Sequence, residues 1–93
     1  MIRILLVDDH AVVREGYRRL LERRADLRVE AEAGSAEEAL QILRTGQPDL
    51  TILDLSLPGM GGIELTRRIL QRQPEACILA FSMHRDPLFA AQA

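Results

Sequence analysis

Lysine is absent from this sequence, and cysteine and long apolar runs are scarce. All 12 basic residues are arginines. The single cysteine, Cys77, excludes an intramolecular disulfide, and because it lies in an apolar run we expect a buried structural thiol. The longest apolar runs are too short to span a bilayer, and the amino terminus has no basic segment followed by a long apolar stretch and a cleavage site. We therefore expect a cytoplasmic protein that makes no membrane contact.

The size and charge of the chain favour one small globular domain covering residues 1–93. With 93 residues, 47% hydrophobic and 28% charged, the chain lies near the lower end of what one core stabilises. The formal net charge of -2 does not suggest a nucleic-acid binder. The pairs Glu15 with Arg19 and Arg18 with Glu22 are spaced i,i+4, which is typical of a solvated helix face.

Four strand-then-helix units alternate along the sequence. Apolar runs and period-2 alternation predict strands over residues 2–7, 27–33, 50–53 and 77–81. The alternation in the second strand indicates one polar face, as at a sheet edge. The helices are predicted from 11 to about 24, between 35 and 46, between 62 and 73, and from Asp86 onward, where Pro87 follows an N-cap residue. The predicted apolar stripes of the first three helices are Val13, Tyr17, Leu20, Leu21; Ala36, Ala39, Leu40, Leu43; and Ile63, Thr66, Ile69, Leu70.

This alternation predicts an α/β fold with a parallel sheet and helices on both faces. In such a fold, ligands bind beyond the carboxyl ends of the strands. Asp8 and Asp9 follow the first strand, Asp54 follows the third and Ser82 follows the fourth. We therefore expect three carboxylates and a hydroxyl to share one edge of the sheet.

Three carboxylates without accompanying cysteines are hard oxygen ligands, which favour Mg²⁺ or Mn²⁺ over zinc, with Mg²⁺ as the default. Asp54 ends a buried strand beside a glycine-containing loop, LSLPGMGG, so its free oxygen could attack a phosphorus atom while the metal neutralises charge. The product would be an aspartyl phosphate, and Ser82 could donate a hydrogen bond to it.

Simpler interpretations exist for each of these residues. Asp9 could cap the first helix, with Asp8 solvated. Ser82 could be an ordinary hydroxyl at a strand end. His10 and His84 flank the same edge, but a histidine pair this far apart is more typical of loop polarity than of metal ligation. The joint placement of Asp8, Asp9, Asp54 and Ser82 favours the metal and phosphoryl site.

The stretches DDH, LDLSLPGMGG and Ser82 together resemble the receiver domain of two-component response regulators, over the whole chain. The stretch VDDHAVVREGYRRLL resembles the subfamily with a helix-turn-helix output domain of the NarL/FixJ type. The resemblance implies a flavodoxin-like doubly wound sheet with strand order 2-1-3-4-5. It implies that Asp54 is the phosphoacceptor and that Asp8 and Asp9 are the acidic pair for Mg²⁺, Asp9 directly and Asp8 more often through water. It further implies that the backbone carbonyl of Ser56 completes the protein ligands and that Ser82 is the switch hydroxyl.

The sequence departs from the family pattern in two places. Pro58 and Gly62 match the family loop, but Gly61 replaces the usual acidic residue before that glycine. Family members also continue into a fifth strand, which carries a lysine that contacts the phosphoryl group, and a fifth helix. We therefore expect an incomplete receiver domain of four βα units, with the fourth strand as an open edge and uncovered apolar surface on the first helix. Such surfaces favour a homodimer or higher assembly.

The resemblance implies a signalling module rather than an enzyme, with a sensor histidine kinase as phosphoryl donor. In a longer parent protein, transcription would be controlled through a DNA-binding output domain, so we expect no DNA contact by residues 1–93 themselves. Two alternatives stay open. A Mg²⁺-dependent phosphohydrolase uses a second aspartate two residues after its nucleophile, where this chain has Ser56. A purely structural dimerisation module is the other.

Overall fold

The computed structural model describes residues 1–82. The predicted helix from Asp86 and the side chain of His84 lie outside these residues. Within residues 1–82 the chain forms seven elements: β1 Ile2–Val7, α1 Ala11–Leu21, β2 Leu27–Ala33, α2 Ala36–Thr45, β3 Leu50–Asp54, α3 Gly61–Arg72 and β4 Ile78–Phe81.

The strands form one sheet in the order β2-β1-β3-β4, and every neighbouring pair is parallel. This confirms the predicted doubly wound, flavodoxin-like α/β fold for the part of the chain that the structure describes. Strand β1 lies between β2 and β3, and its residues Ile4 to Val7 are at most 1% exposed. The continuous apolar run predicted a strand covered on both faces, and the structure confirms it.

Alternate residues of the sheet contribute to two separate apolar clusters. Leu5 and Val7 of β1 pack on the face that carries α2 and α3, whereas Ile4 and Leu6 pack on the face that carries α1. Tyr17 of α1 belongs to the second cluster, and its ring lies 4.9 Å from that of Phe81. Side chains of a strand point alternately to opposite faces, so one strand supports both helix layers.

Strand β2 lies at the sheet edge as predicted, but the prediction of a single polar face is wrong. Ile4 is opposite Val29 and Leu5 is opposite Ala31, so Glu30 is an extra residue that forms a β-bulge. The bulge reverses which side chains point to which face. Val29 therefore packs on the α1 side, whereas Ala31 packs on the side of α2 and α3.

The amino-terminal ends of β1 and β3 are held together by Arg3 and Asp49. The backbone N–H of Arg3 donates to Asp49 Oδ2 over 2.8 Å, and the backbone N–H of Asp49 donates to the Arg3 carbonyl over 2.8 Å. The hydrogen bond from the Arg3 backbone, followed by that from its guanidinium, lowers the pKa of the Asp49 carboxyl. These bonds help to fix the register that brings the opposite ends of the two strands side by side.

Ser35 and Glu38 cap the amino terminus of helix α2. Ser35 Oγ accepts a hydrogen bond from the Glu38 backbone N–H over 3.1 Å, and the Glu38 carboxylate accepts one from the Gly34 backbone N–H over 2.5 Å. Such reciprocal bonds satisfy donors that a helix amino terminus leaves without partners. The helix ends at Thr45, before Gly46, as the sequence predicts.

Helix α3 presents a different face to the core than its apolar spacing predicts. It begins at Gly61, two residues earlier than expected, and its buried residues are Gly62, Leu65 and Ile69. Ile63, which the prediction placed in the core, is 70% exposed. At Gly62 the backbone of the helix lies directly against the end of β3, so this side of the helix faces the sheet.

Three further predictions from the sequence are wrong. Helix α1 ends at Leu21 rather than near residue 24, and Leu20, which was predicted to lie in the apolar stripe, is 65% exposed. Cys77 is exposed and lies just before β4, where its carbonyl accepts a hydrogen bond from the Thr51 backbone N–H. Strand β4 is the outermost strand of the described sheet, so less packing covers its beginning than its apolar sequence suggests.

Helices long and apolar enough to cross a membrane are not found among residues 1–82.

Candidate metal and phosphoacceptor site

The structure brings Asp8, Asp9 and Asp54 together at the carboxyl ends of β1 and β3. Val7 is the register partner of Leu53, so the residues that follow them along the two strands lie side by side. One ligand atom from each of Asp8, Asp9, Asp54 and His10 lies within 4.8 Å of all the others. We refer to the three aspartates as the acidic cluster.

The acidic cluster contains buried oxygen atoms that lack hydrogen-bond donors. Asp8 and Asp54 are 0% and 1% exposed. Asp8 Oδ2 and Asp9 Oδ1 are buried and accept no hydrogen bond from residues 1–82. Adjacent carboxylates repel each other, most strongly where little water is present, and a buried acceptor without a donor is costly. A divalent cation relieves both costs, and carboxylate oxygens are the donors that Mg²⁺ prefers. The site is therefore compatible with Mg²⁺.

Asp9 does not cap the first helix, so that simpler interpretation is wrong. The N-cap residue of α1 is His10, whose side chain makes no capping hydrogen bond. Asp8 instead orders this turn, since its Oδ1 accepts a hydrogen bond from the His10 backbone N–H over 2.8 Å.

Ser56 orients the Asp54 carboxylate through its side chain as well as its backbone. Asp54 Oδ1 accepts a hydrogen bond from Ser56 Oγ over 2.7 Å and another from the Ser56 backbone N–H over 2.9 Å. The family resemblance implied a metal ligand role for the Ser56 carbonyl and none for its side chain. The sequence feature that could have predicted this hydrogen bond is a serine two positions after an aspartate in a stretch rich in turn residues.

The loop between β3 and α3 and the first turn of α3 require glycine at two kinds of position. Gly59 and Gly61 have φ of 72° and 81°, which side chains other than glycine rarely adopt. The replacement of the usual family acid by Gly61 therefore coincides with a left-handed backbone. At Gly62 the constraint is space, because a Cβ atom there would lie 2.6 Å from Leu55 Cα.

Ser82 follows β4 at the carboxyl edge of the sheet, and His10 follows Asp9 in the turn between β1 and α1. Phe81 is the register partner of Asp54, so Ser82 follows β4 at the same edge of the sheet. His10 was interpreted from sequence as loop polarity, yet its Nδ1 lies 3.2 Å from Asp9 Oδ1 and 3.6 Å from Asp8 Oδ1. Sequence spacing alone could not show that its ring turns toward the carboxylates.

Arg14 connects the acidic cluster to the edge strand. Its Nη1 donates to the Asp8 carbonyl oxygen over 2.6 Å, and its Nε lies 2.9 Å from Glu32 Oε1. Glu32 reaches this side of the sheet only because of the bulge in β2. Arg14 therefore ties α1, β2 and the turn that carries Asp8 to one another.

Replacement of Arg14 by methionine should loosen this turn. We expect Arg14→Met to lower the free energy of unfolding by about 2 kcal/mol, because the Asp8 carbonyl and Glu32 both lose a charged donor. We also expect Mg²⁺ to bind more weakly. Urea denaturation and calorimetric titration measure the two effects. Arg19→Met is the matched control, since Arg19 lies on the same helix with 81% side-chain exposure and pairs with Glu15. Equal losses in the two variants would contradict this role of Arg14.

Comparison with known families agrees with this geometry. The sequence model of the family described as "Response regulator receiver domain" matches residues 4–93. The response regulator UvrY of Escherichia coli is 41% identical over 86 residues, which cover 92% of this chain and 39% of UvrY. The chain thus spans about two fifths of the length of this curated relative.

Solved structures show the same fold. A two-component response regulator of the LuxR family from an Aurantimonas species has 53% sequence identity and a TM-score of 0.87, covering 99% of this chain and 66% of that one. RcsB from Salmonella enterica, bound to a promoter in the presence of the phosphomimetic BeF3-, has 28% identity and a TM-score of 0.83. That match covers 92% of this chain and 44% of RcsB.

Proposed function

The chain belongs to the response regulator receiver domain family, and from that premise we propose that it accepts a phosphoryl group on Asp54 with the help of Mg²⁺. Members of this family act in signalling rather than as classical enzymes. The observation that supports the proposal most directly is the acidic cluster, with its buried and unpartnered atoms Asp8 Oδ2 and Asp9 Oδ1.

In this proposal each residue has a distinct task. Asp9 and Asp54 each supply a metal ligand, Asp8 acts through water, and the Ser56 carbonyl completes the protein ligands. Mg²⁺, when bound, neutralises negative charge between Asp54 and the phosphoryl group. The two Ser56 hydrogen bonds hold the Asp54 carboxylate in one orientation while an Asp54 oxygen attacks phosphorus in line. The P–O or P–N bond of the donor breaks, its electron pair leaves with the donor, and Ser82 donates a hydrogen bond to a phosphoryl oxygen.

We propose a sensor histidine kinase as the phosphoryl donor and transcription as the process controlled by a longer parent protein. Receiver domains of this family receive their phosphoryl group from such kinases. The chain spans about two fifths of UvrY, and the RcsB structure contains promoter DNA, which supports an output domain in the parent. DNA contact is assigned to that output domain and not to residues 1–93.

Self-association of this chain is also proposed. A shallow apolar hollow on α1 is lined by Val13, Gly16, Tyr17 and Leu20, and Leu79 of β4 is 56% exposed. Strand β4 is an edge of the described sheet. Exposed apolar surface beside an open strand edge favours pairing with a second copy.

The phosphoacceptor proposal is tested with acetyl phosphate and with BeF3-, each with Mg²⁺ or with EDTA. We expect a Mg²⁺-dependent adduct of one phosphoryl group by intact mass, and a Mg²⁺-dependent bound BeF3- signal by fluorine NMR. Because lysine is absent, the covalent adduct should form in low yield, whereas BeF3- binding requires no bond cleavage. A phosphohydrolase would instead turn over external phosphate esters, and a structural module would give none of these signals.

A further inference from the structure

We propose that His10 makes the acidic cluster a mixed oxygen and nitrogen metal site, which binds Mn²⁺ in preference to Mg²⁺ through a direct imidazole ligand. This inference rests on the proposed metal site at Asp8, Asp9 and Asp54. It adds one ligand and a metal preference that three carboxylates alone do not supply.

The distances around His10 are those of neighbouring ligands on one ion. His10 Nδ1 lies 3.2 Å from Asp9 Oδ1 and 3.6 Å from Asp8 Oδ1. Adjacent ligands of an octahedral ion with bonds of about 2.1 Å lie roughly 3 Å apart. The ligand atoms that Asp9, Asp54 and His10 offer lie within 4.8 Å of one another, so all three can surround one ion while Asp8 acts through water.

The exposed fractions of the side chains show that the His10 imidazole lies on the solvent side of the acidic cluster. The Asp8 side chain is 0% exposed and the Asp9 side chain 25%, whereas that of His10 is 65% exposed. The carboxylates therefore approach an ion from inside the protein, and the imidazole approaches it from the solvent side, where water would otherwise be a ligand. Asp8 Oδ2, which is buried and accepts no hydrogen bond from residues 1–82, is an independent sign that this space receives a cation.

His10 is not required elsewhere in the described structure. Although it is the N-cap residue of α1, its side chain makes no capping hydrogen bond. Its backbone N–H supplies the bond to Asp8 Oδ1, and any residue except proline provides that group. The imidazole can therefore be replaced without removing a helix cap.

The imidazole ligand explains why Mn²⁺ should be preferred over Mg²⁺. Both Mg²⁺ and Mn²⁺ are suited to carboxylate oxygens, but Mn²⁺ is the softer ion and gains more affinity from an imidazole nitrogen than Mg²⁺ does. Loss of the imidazole should therefore weaken Mn²⁺ binding much more than Mg²⁺ binding.

The test compares the wild-type chain with His10→Gln, using Mn²⁺ and Mg²⁺ as probes. We expect calorimetry to show about tenfold weaker Mn²⁺ binding in His10→Gln and less than about a twofold change for Mg²⁺. Electron spin echo modulation of bound Mn²⁺ should show a directly bound nitrogen in the wild type and none in the variant. Asp9→Asn is the control for the site itself and should weaken both metals.

Each contrary result identifies which idea fails. An unchanged ratio of Mn²⁺ to Mg²⁺ affinity, no nitrogen signal, or a nitrogen signal that persists in His10→Gln overturns the role of His10. Mg²⁺-dependent binding of BeF3- in the same samples would leave the phosphoacceptor proposal standing. Absence of all metal binding would overturn both.

Discussion

Asp54→Asn is expected to take up no phosphoryl group from acetyl phosphate and to bind Mg²⁺ more weakly than the wild type. The amide has nearly the shape of the carboxylate, and its oxygen can still accept the hydrogen bonds that Ser56 gives to Oδ1. What it lacks is the anionic oxygen that attacks phosphorus and ligates the metal. The variant therefore separates the chemistry of the site from its architecture.

The same substitution should stabilise the metal-free protein. Asp54 is 1% exposed and belongs to a cluster in which Asp8 Oδ2 and Asp9 Oδ1 lack donors. Asparagine removes one of the repelling charges and offers an N–H₂ group in the same region. We expect the free energy of unfolding without Mg²⁺ to rise by about 1–3 kcal/mol and the stabilisation by added Mg²⁺ to become smaller.

Intact mass, calorimetry and urea denaturation with Mg²⁺ or EDTA measure these effects. Asp26→Asn is the matched control, because Asp26 has 54% side-chain exposure and pairs with Arg24 away from the cluster. It should behave as the wild type in phosphoryl uptake and Mg²⁺ affinity. A phosphoryl adduct on Asp54→Asn, or unaltered Mg²⁺ affinity, would contradict the assignment of Asp54.

Gly62→Ala is expected to be the most destabilising single substitution in the loop after β3 and the first turn of α3. A Cβ atom at this position would lie 2.6 Å from Leu55 Cα and 3.0 Å from the carbonyl carbon of Asp54. Both atoms belong to the backbone, so the clash is relieved only if α3 or the end of β3 moves. We expect a loss of about 3 kcal/mol, at the upper end of the cost of overpacking, which is a large share of the stability of a small domain.

Gly62→Ala should also weaken Mg²⁺ binding at the acidic cluster. Movement of the end of β3 displaces Asp54, so Mg²⁺ affinity should fall together with stability. Gly16→Ala is the matched control, because an added Cβ atom there meets nothing within 4 Å and Gly16 lies inside α1. That change should raise the free energy of unfolding by about 0.5–1 kcal/mol through lower chain entropy. Equal effects of the two substitutions in urea denaturation would show that Gly62 is not sterically constrained.

Asp54 and Gly62 are residues that the sequence identifies, whereas the predictions for Arg14 and His10 depend on contacts that only folding creates. Asp54 stands out because it follows a short apolar run directly, and Gly62 because the loop resembles that of a known family. The hydrogen bonds of Ser56 to Asp54 and the position of the His10 ring have no periodic signal in the sequence. Their assignment needed the three-dimensional arrangement.

The sequence by itself determined the alternation of strands and helices, the parallel sheet and the residues that reach its carboxyl edge. Local periodicity and strand direction decide these features, because each apolar run must be covered and parallel strands end at the same side. Only the tertiary structure decided the bulge at Glu30, the rotation of α3 and the ring position of His10. These depend on which backbone and side-chain atoms meet between elements distant in the chain, and no local pattern encodes those distances.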